Sequence, residues 1–452
     1  MPSLKSLALK GAIWTFAAYG FSQGIRLASN LILTRLLLPE FFGLMALVYT
    51  FIGGLTLFSD IGIGPSVIQN RRGNEPDFLN TAWTAQIIRG VGLWLCCLII
   101  AWPVAALYEE PRLLWLVPVI GFTMVLGGLE SMANYTLSRE VAMGKLALFE
   151  ISTQLIGTAV TVIWAWFDPT VWALAGGSLV AWSLRLIISH TLLPQVTPSR
   201  LKWDKDAIKE IISFGKWIFL STAMMFLSTQ SDRLLLGKFL SLEFLGIYSI
   251  AFTLGDLPRQ INQKVYTKVL FPVMSKISDT PRSELRQKIM KSRQAALAGL
   301  MVVVVILASG GDIIIDFLYN ENFESAGWIL SIVALGLWPN LMADTLNPCL
   351  FAVGQPRYNA YGNFFSFLVI VVGIPGSIMI LPEAIAPFGA VLAVALSELP
   401  FYIAIALGLY REKLSCLRQD AIFTGLLVVL LGSVFAVRTF LGLGLPWDGV
   451  FT

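Results

Sequence analysis

The chain contains few of the residues on which soluble enzymes and metalloproteins depend. Only 13% of its 452 residues are charged, and it has four cysteines and a single histidine. Soluble domains carry about 25% charged residues, so roughly half of the usual charge is missing. Cys96 and Cys97 are neighbours in an apolar run, and no cysteine or histidine spacing is typical of a disulfide framework or a zinc site. These scarcities exclude an ordinary soluble domain and argue against metal chemistry.

Apolar runs are abundant instead. Hydrophobic residues make up 56% of the chain, and the mean hydropathy is +0.74. A membrane-spanning helix needs about 20 mostly apolar residues, and many segments meet this requirement. The sequence therefore predicts an all-α polytopic membrane protein. The predicted spans are 11–34, 41–66, 83–108, 113–135, 146–168, 172–193, 212–237, 242–267, 294–318, 326–352, 358–381, 386–410 and 421–443.

The charge of the predicted loops alternates along the chain. Basic loops, such as the one at Arg71-Arg72, alternate with short neutral or acidic loops, such as the one at Glu109-Glu110. The positive-inside rule places the basic set and the N-terminus in the cytoplasm. Lys5 and Lys10 precede the first span without a cleavage site, which predicts a retained helix. Thirteen spans would leave the C-terminus outside, and this odd count suggests a truncated form of the chain.

Two apolar stretches repeat each other at a constant offset. Trp14-Thr-Phe16 matches Trp217-Ile-Phe219, and Glu40-Phe41-Phe42-Gly43 matches Glu243-Phe244-Leu245-Gly246, both 203 residues apart. The pattern predicts an internal duplication in which helices 1–2 correspond to helices 7–8. Six crossings separate the copies, so the repeat is parallel. The predicted domains are an N-terminal lobe over 1–193, a linker over 194–211, a C-terminal lobe over 212–410, and an extra helix with its tail over 411–452.

Two long cytoplasmic connections, 194–211 and 268–293, mix basic residues with acidic and apolar ones. This composition favours amphipathic helices lying at the membrane surface. Solvated linkers that follow the positive-inside bias account for it equally well.

Ionisable residues inside the spans are costly in lipid, and they usually face a cavity or a partner. Gln23 and Arg26 share a face of helix 1, and Asp256 and Arg259 share a face of helix 8 that Lys264 continues. Aligned cations of this kind predict an aqueous cavity that receives a phosphate or an acidic sugar. The candidate cavity or gate residues are Arg26, Gln23, Asp60, Arg89, Asp232, Arg233, Asp256, Arg259 and Lys264.

A structural role for these charges is the alternative. Asp232 or Asp256 would then neutralise Arg233 or Arg259 and fix helix packing. For the arginines at predicted cytoplasmic helix ends, which are Arg89, Arg185 and Arg293, side chains that reach the interface are an adequate explanation.

Several segments have an order and spacing found in one transporter family. They are Arg35-Leu-Leu-Leu-Pro39-Glu40-Phe41-Phe42-Gly43-Leu-Met, Leu57-Phe58-Ser59-Asp60-Ile61-Gly62, Leu79-Asn80-Thr81-Ala82-Trp83, Ile88-Arg89-Gly90, Asp232-Arg233-Leu-Leu-Leu-Gly237 and Leu270-Phe271-Pro272. Together they resemble the Wzx-type polysaccharide exporters, in the colanic-acid and teichuronic-acid branch of the multidrug/oligosaccharidyl-lipid/polysaccharide (MOP) superfamily. The resemblance covers about residues 5–440.

This resemblance implies two pseudo-symmetric six-helix lobes that form a V, sometimes with two extra helices; the single extra helix here departs from that pattern. It implies flipping of an undecaprenyl-pyrophosphate-linked oligosaccharide repeat across the bacterial cytoplasmic membrane, by alternating access, for surface polysaccharide or lipopolysaccharide biosynthesis. The expected partners are the lipid-linked substrate and membrane lipid, with polysaccharide polymerase machinery as a further candidate. We expect a monomer, no nucleic acid, and neither cofactor nor metal; H⁺ and Na⁺ both stay open as coupling ions.

Three other functions compete with this reading. A cation-coupled multidrug exporter of the same superfamily would bind organic cations through Glu130, Asp256 or Glu398, but arginines outnumber acids among the intramembrane candidates. A lipid II flippase is a further transporter reading. A membrane polymerase or ligase would need catalytic side chains on a large outer loop, whereas the predicted outer loops are short and no acid–base constellation is assembled.

Overall fold

The computed structural model describes residues 4–60, 62–140, 142–194, 198–265 and 281–450. In these ranges the regular secondary structure consists of α-helices and short 3₁₀-helices, without β-strands. The chain forms two compact units, Met1–Ala223 and Met224–Thr452. The predicted all-helical fold is confirmed. The finer domain boundaries, including the 194–211 linker as a separate segment, stay predictions.

The first unit contains eight helices and the beginning of a ninth. They are α1 (Leu4–Leu36), α2 (Pro39–Phe58), α3 (Ile63–Gln69), α4 (Pro76–Tyr108), α5 (Leu113–Leu129), α6 (Ala133–Arg139), α7 (Met143–Phe167), α8 (Val171–Thr191) and α9 (Lys205–Phe239). Pro39 and Pro76 occupy the first positions of α2 and α4, where the missing N–H has no intrahelical partner to lose.

The second unit contains the rest of α9 and nine further helices in the described ranges. They are α10 (Leu242–Gly255), α11 (Leu257–Val265), α12 (Arg282–Leu318), α13 (Ala326–Asp344), α14 (Asn347–Ala352), α15 (Arg357–Ile380), α16 (Ala386–Leu396), α17 (Glu398–Arg411) and α18 (Leu417–Phe440). Two 3₁₀ turns follow α12 and α18, at Glu321–Phe323 and Asp448–Val450.

Nine helical segments of the described chain are long and apolar enough to cross a membrane, and the bent pair α5–α6 would make a tenth. Helices satisfy their own backbone polar groups, which is what lipid requires. The predicted thirteen spans include three more, at α1, α9 and α10. Arg26 interrupts the apolar run of α1, the Asp232-Arg233 pair interrupts that of α9, and α10 is apolar but has only 14 residues.

The two units repeat one packing pattern around a central helix. In the first unit, α5 packs against α2, α4 and α8; in the second unit, α13 packs against α10, α12 and α17. In each half, the central helix is therefore the fourth predicted span, and the helices packed against it are the second, third and sixth predicted spans. In the segment Glu321–Phe351, which contains α13, 78% of the apolar stretch is buried. The recurrence within each unit agrees with the predicted duplication.

Glycine allows the closest helix contacts in both units. A Cβ atom at Gly90 of α4 would lie 2.4 Å from the carbonyl oxygen of Met124 on α5, and one at Gly336 of α13 would lie 2.5 Å from the Cα of Ala395 on α16. Without a driving force for burial between helices in lipid, such close backbone approach is a main source of packing energy.

Five spans predicted as continuous helices are interrupted, so those predictions are wrong in this respect. The affected spans are 41–66, 113–135, 242–267, 326–352 and 386–410. An acidic side chain lies at or beside each interruption: Asp60, Glu130, Asp256, Asp344 and Glu398. A helix start presents free N–H groups and a positive dipole end, which favour a carboxylate. In four of the five, a proline also lies in the first turn of the following helix, where it is tolerated best.

The described part of the connection before α9 is a largely exposed segment held against α4. Residues 198–204 are non-helical, and α9 begins at Lys205. Backbone N–H groups of Arg200, Lys202 and Asp204 donate to Asn80, Thr84 and Thr81 of α4, at 2.9, 3.0 and 3.0 Å. Every second backbone N–H of this segment donates to a side chain of α4, a spacing that is typical of an extended chain. Residues 282–293 form the beginning of α12, with Pro281 at its N-cap, and 268–280 lie outside the described residues.

Arg72, which precedes α4, forms ion pairs with the end of this segment and with the beginning of α9. Its guanidinium contacts Asp204 at 3.0 Å and Glu210 at 3.3 Å, and the Arg72 side-chain hydrogen bond holds the pKa of the Asp204 carboxyl below its ordinary value.

We expect Arg72→Gln to speed amide hydrogen exchange at residues 200–204 several-fold, while the exposed neighbour variant Arg71→Gln leaves it unchanged. Because the pKa of Asp204 is depressed, the Arg72–Asp204 ion pair contributes fully at pH values above the ordinary pKa of 3.8. This contribution is lost as the pH falls through the lower pKa of the folded state. Equal exchange in both variants would contradict this role.

Two ion pairs attach the extra helix α18 to α12. Arg293 and Asp420 meet at 2.8 Å near the beginnings of the two helices, with side chains only 2% and 3% exposed. Asp312 pairs with Arg438 near their ends. The order of the contacts shows that α12 and α18 run parallel, as spans 9 and 13 must. Arg293 is buried, so the interpretation that it reaches the interface is wrong.

Candidate functional site

The first unit encloses a polar cavity of about 410 Å³ bounded by the end of α2 and by α4–α8. Its polar side chains include Gln86, Arg89, Glu130, Asn134 and Arg185. This volume lies within the range of roughly 300–1,000 Å³ that is typical of small-molecule sites. The cavity therefore places two guanidinium groups and two carboxylates, those of Glu130 and Glu150, among largely apolar helices.

Arg89 is a half-buried wall residue of this cavity. Its guanidinium donates to the carbonyl oxygen of Thr56 at 2.7 Å and to Ser59 Oγ at 3.0 Å, so it ties α4 to the end of α2. Both acceptors are neutral, and Arg89 pairs with no carboxylate among the described residues. It therefore forms no direct ion pair with a described carboxylate, although Glu130 and Glu150 line the same cavity.

Arg185 of α8 is held in a fixed orientation. Its guanidinium donates to Glu130 Oε1 at 3.2 Å and lies 4.8 Å from the ring centre of Phe149 and 5.2 Å from that of Trp182. Such cation–π contacts add to the ion pair. Glu130 Oε1 also accepts from the amide of Asn134. Arg185 Nε and Asn134 Oδ1 are buried without a partner. Arg185 thus lines a cavity, and its assignment as an interface side chain is wrong.

The remaining candidates of the first unit do not line this cavity. Asp60 accepts from the backbone N–H of Gly62 at 2.9 Å, and Gly62 has φ 69°, the left-handed conformation that starts α3. Gln23 donates to the hydroxyl of Tyr19 at 2.9 Å. Arg26 is exposed on α1. Among the predicted residues of this unit, only Arg89 lines the cavity.

The second unit contains a denser charged cluster at three helix interruptions. Arg259 of α11 contacts Asp256 at 2.6 Å and Glu398 at 3.5 Å, and Asn340 of α13 donates to Glu398 at 2.6 Å. Asp344 lies in the same electrostatic cluster and is bonded by Gln263. Asp344 Oδ2 and Asn340 Oδ1 are buried without a partner. A cavity of about 50 Å³ adjoins Arg259, Asn340 and Glu398.

Asp232 and Arg233 of α9 do not neutralise each other. Asp232 is 3% exposed and accepts from the Tyr248 hydroxyl at 2.6 Å. Arg233 donates to Gln230 at 2.5 Å and lies 5.2 Å from the ring centre of Phe252. Lys264 is exposed on α11. The structural alternative therefore holds for the Asp256–Arg259 pair and not for Asp232 with Arg233.

Glu130, Arg185 and Glu398 are named from the sequence without being chosen as site residues, and the site residues missed from the sequence are Asp344, Asn134 and Asn340. A local signal for part of the set exists, since Asp256, Asp344 and Glu398 are each followed within four residues by a proline. An excess of arginines over acidic residues was the argument against a multidrug exporter. This excess is absent from the cluster of the second unit, where three carboxylates lie around Arg259.

The fold defines a class of multi-pass membrane protein. The structure is similar to the lipid II flippase MurJ in an inward closed conformation (TM-score 0.71, 14% identity, covering 94% of this chain and 92% of that one). It is also similar to an inward-facing multidrug resistance MATE family transporter of the MOP superfamily (TM-score 0.67, 15% identity, covering 88% and 96%). The MOP-type fold implied by the sequence motifs is confirmed.

The chain belongs to the polysaccharide biosynthesis protein family, whose model matches residues 32–327. It is 22% identical over 384 residues to the lipopolysaccharide biosynthesis protein WzxC of Escherichia coli, covering 82% of this chain and 76% of that protein. It is 23% identical over 347 residues to the succinoglycan biosynthesis transport protein ExoT of Rhizobium meliloti, covering 76% and 68%. The resemblance to Wzx-type exporters is thereby confirmed.

Proposed function

We propose that this protein flips an undecaprenyl-pyrophosphate-linked oligosaccharide repeat across the bacterial cytoplasmic membrane, by alternating access, for surface polysaccharide or lipopolysaccharide biosynthesis. The observation that carries the proposal is the cavity of the first unit, where Arg89 lacks a carboxylate partner among the described residues. A cation in such a place is costly in lipid unless water or an anion accompanies it. Family membership supports the same substrate class.

Transport of this kind makes and breaks no bond in the substrate. The protein needs to replace the hydration of a sugar–pyrophosphate group during its passage, while the polyprenyl tail stays in lipid. We therefore propose a non-enzymatic transporter with its N-terminus in the cytoplasm, acting on a lipid-linked substrate as a monomer, and with polysaccharide polymerase machinery as a partner. The alternating loop charges support this orientation.

Coupling to a cation is the natural role of the cluster in the second unit. Asp256, Asp344 and Glu398 outnumber Arg259, so the fully ionised cluster would carry a net negative charge in a buried place. Uptake of one proton would reduce that charge and alter the contacts of three helix interruptions together. We propose H⁺ as the coupling ion; dependence of flux on a Na⁺ gradient at constant pH would assign the role to Na⁺.

Deletion of the gene in the native host tests the proposal. We expect undecaprenyl-linked repeats to accumulate on the cytoplasmic face and surface polysaccharide to fall, with both restored by the wild-type gene. Reconstituted full-length protein should also move the lipid-linked repeat between leaflets of proteoliposomes. Normal surface polysaccharide with unchanged intermediates would overturn the proposal.

Two further readouts address the other transporter readings. The carboxylates around Arg259 are the feature that would suit an organic cation, so a changed drug-resistance profile in the deletion strain would favour a multidrug exporter. Rescue of peptidoglycan synthesis in a strain lacking its lipid II flippase would assign lipid II as the substrate.

A further inference from the structure

We propose that a groove between α15 and α17 binds an anionic phospholipid, with an acyl chain along the groove and the phosphate on Arg411 and the hydroxyl of Tyr358. The groove has a volume of about 690 Å³, and every residue that lines it belongs to one of these two helices. It shares no lining residue with the two charged cavities described above. The inference therefore does not depend on the proposed function.

The walls of this groove are apolar and largely uncovered. Val372 of α15 and Leu407 of α17 are 68% and 55% exposed, and Phe365 and Ile403 beside them are about half exposed. Large apolar side chains that lie exposed side by side mark a binding surface. In a chain that spans a membrane, the molecules that contact such a surface are lipids.

The length of the groove fits the acyl chain of a lipid in one leaflet. Tyr358 lines one end of the groove and Val372 lies near the other. Along α15 these residues are separated by about 21 Å, at 1.5 Å per residue. One leaflet contributes about 15 Å to the hydrocarbon core of a bilayer, so the groove extends from the headgroup region to the middle of the membrane.

Tyr358 is fixed at the polar end of the groove. A Cβ atom at Gly408 of α17 would lie 2.7 Å from the ring of Tyr358, so the glycine lets the ring pack tightly against that helix. The hydroxyl of Tyr358 accepts from Arg411 Nη1 at 3.4 Å. A phenol can also donate one hydrogen bond, and among the described residues no acceptor for this proton is found. The Tyr358 hydroxyl is thus available to donate to a ligand oxygen.

Arg411 supplies positive charge at the same place. It is exposed, and it forms no ion pair with a carboxylate in the part of the chain that the structure describes. The neighbouring Glu412 is engaged elsewhere, by Gln355 at 3.0 Å and by Arg282 at 3.4 Å. A guanidinium has five N–H donors, so most donors of Arg411 are available after its bond to Tyr358.

A phosphodiester fits this combination of groups. Its oxygens can accept two parallel hydrogen bonds from Arg411 and a third from the Tyr358 hydroxyl. The guanidinium of Arg357 lies 5.3 Å from the ring centre of Tyr358, which places a second cation next to the phosphate. Two arginines would repel the cationic part of a zwitterionic headgroup, so the site favours a lipid with net negative charge. Both helix ends lie on the side predicted to be cytoplasmic.

Native mass spectrometry of the full-length protein in detergent tests the inference. The probes are phosphatidylglycerol and phosphatidylcholine with the same long acyl chains, and phosphatidylglycerol with short chains. We expect long-chain phosphatidylglycerol to bind at least about tenfold more tightly than phosphatidylcholine, since hydrogen bonds to a charged group distinguish the two. The short-chain lipid should bind more weakly because it does not fill the groove. Equal affinity for phosphatidylglycerol and phosphatidylcholine would overturn the inference.

Three variants assign the contacts. Arg411→Gln should weaken phosphatidylglycerol binding roughly tenfold, and Tyr358→Phe should weaken it several-fold while it keeps the ring. Leu407→Trp should weaken binding of the long-chain lipid and leave the short-chain lipid unchanged, because it fills the groove. Arg418→Gln, exposed outside the groove, removes an equal charge and is the matched control.

The comparison of Arg411→Gln with Arg418→Gln separates a local site from general attraction by a basic surface. Equal phosphatidylglycerol binding in these two variants would contradict the assignment. Arg411→Lys keeps the charge but loses the two parallel hydrogen bonds, so it should also bind more weakly, and it serves if Arg411→Gln fails to fold.

Two other occupants of the groove would give different results. If undecaprenyl phosphate displaces phosphatidylglycerol at lower concentration than phosphatidylglycerol itself, the groove holds the tail of the substrate and the inference fails. A dimer that Leu407→Trp abolishes would assign the groove to a second copy of the chain and would also overturn it. If the lipid preference is found in protein that does not move the lipid-linked repeat, the proposed function fails and the lipid site stands.

Discussion

Replacing Arg293 with methionine should lower the free energy of unfolding by about 3–5 kcal/mol, the usual cost of leaving a buried charge without its partner. The guanidinium pairs with Asp420 at 2.8 Å and donates to Thr345 at 2.9 Å, Gln419 at 3.2 Å and the carbonyl of Met342 at 3.2 Å. Once the cation is gone, the side-chain partner that Asp420 keeps among the described residues is the hydroxyl of Tyr402, at 3.0 Å. Thermal unfolding of purified protein in detergent measures the loss.

Matched variants show whether the buried charge is the cause. Arg418→Gln, an exposed change two residues before Asp420, should leave the unfolding temperature unchanged. Arg293→Met combined with Asp420→Leu should recover most of the stability, since replacing a whole buried pair with apolar side chains is often neutral. If Arg293→Met and Arg418→Gln unfold at the same temperature, the pair does not attach α18 to α12.

Replacing Arg259 with glutamine should abolish transport and also destabilise the second unit. The change leaves Asp256, Asp344 and Glu398 in a buried cluster without their cation, and breaking a buried pair costs about 3–5 kcal/mol. The sequence places Arg259 only among the candidate cavity or gate residues. The ion pairs at 2.6 and 3.5 Å make the residue structural as well.

A second substitution separates the two effects of Arg259→Gln. Adding Glu398→Gln removes one of the uncompensated carboxylates and should restore part of the unfolding temperature, but transport driven by a pH gradient should stay lost. Arg286→Gln, an exposed change at the beginning of α12, is the control for both readouts. Wild-type flux in Arg259→Gln would remove this cluster from the transport mechanism.

The motif residues illustrate what could be predicted. Asn80 and Thr81 belong to a segment that identified the family, but their role in holding residues 200 and 204 becomes visible only when the connection is placed against α4. Arg89 was chosen from sequence and does line a cavity. Arg185 and Arg293 were assigned to the interface because both lie near predicted helix ends, and position along a helix does not reveal which neighbour covers that end.

The interruptions show the same limit. Hydropathy averages over a whole span, so a carboxylate followed by a proline changes the average little while it ends one helix and begins another. Asp256, Asp344 and Glu398 were placed inside continuous helices for this reason. Charged groups of different helices meet at these interruptions. The candidate sites therefore depend on helix interruptions, which the mean hydropathy of a span does not reveal.

The sequence by itself determined that this is an all-helical membrane protein with a duplicated apolar pattern, because helix length, hydropathy and short motifs are local properties of the chain. Only the tertiary structure decided which charges meet. Arg185 and Glu130 are 55 residues apart and Arg259 and Glu398 are 139 apart, and each pair forms because helix packing and helix interruptions bring distant positions together. Contacts over such distances are set by the packing of whole helices, which no local pattern specifies.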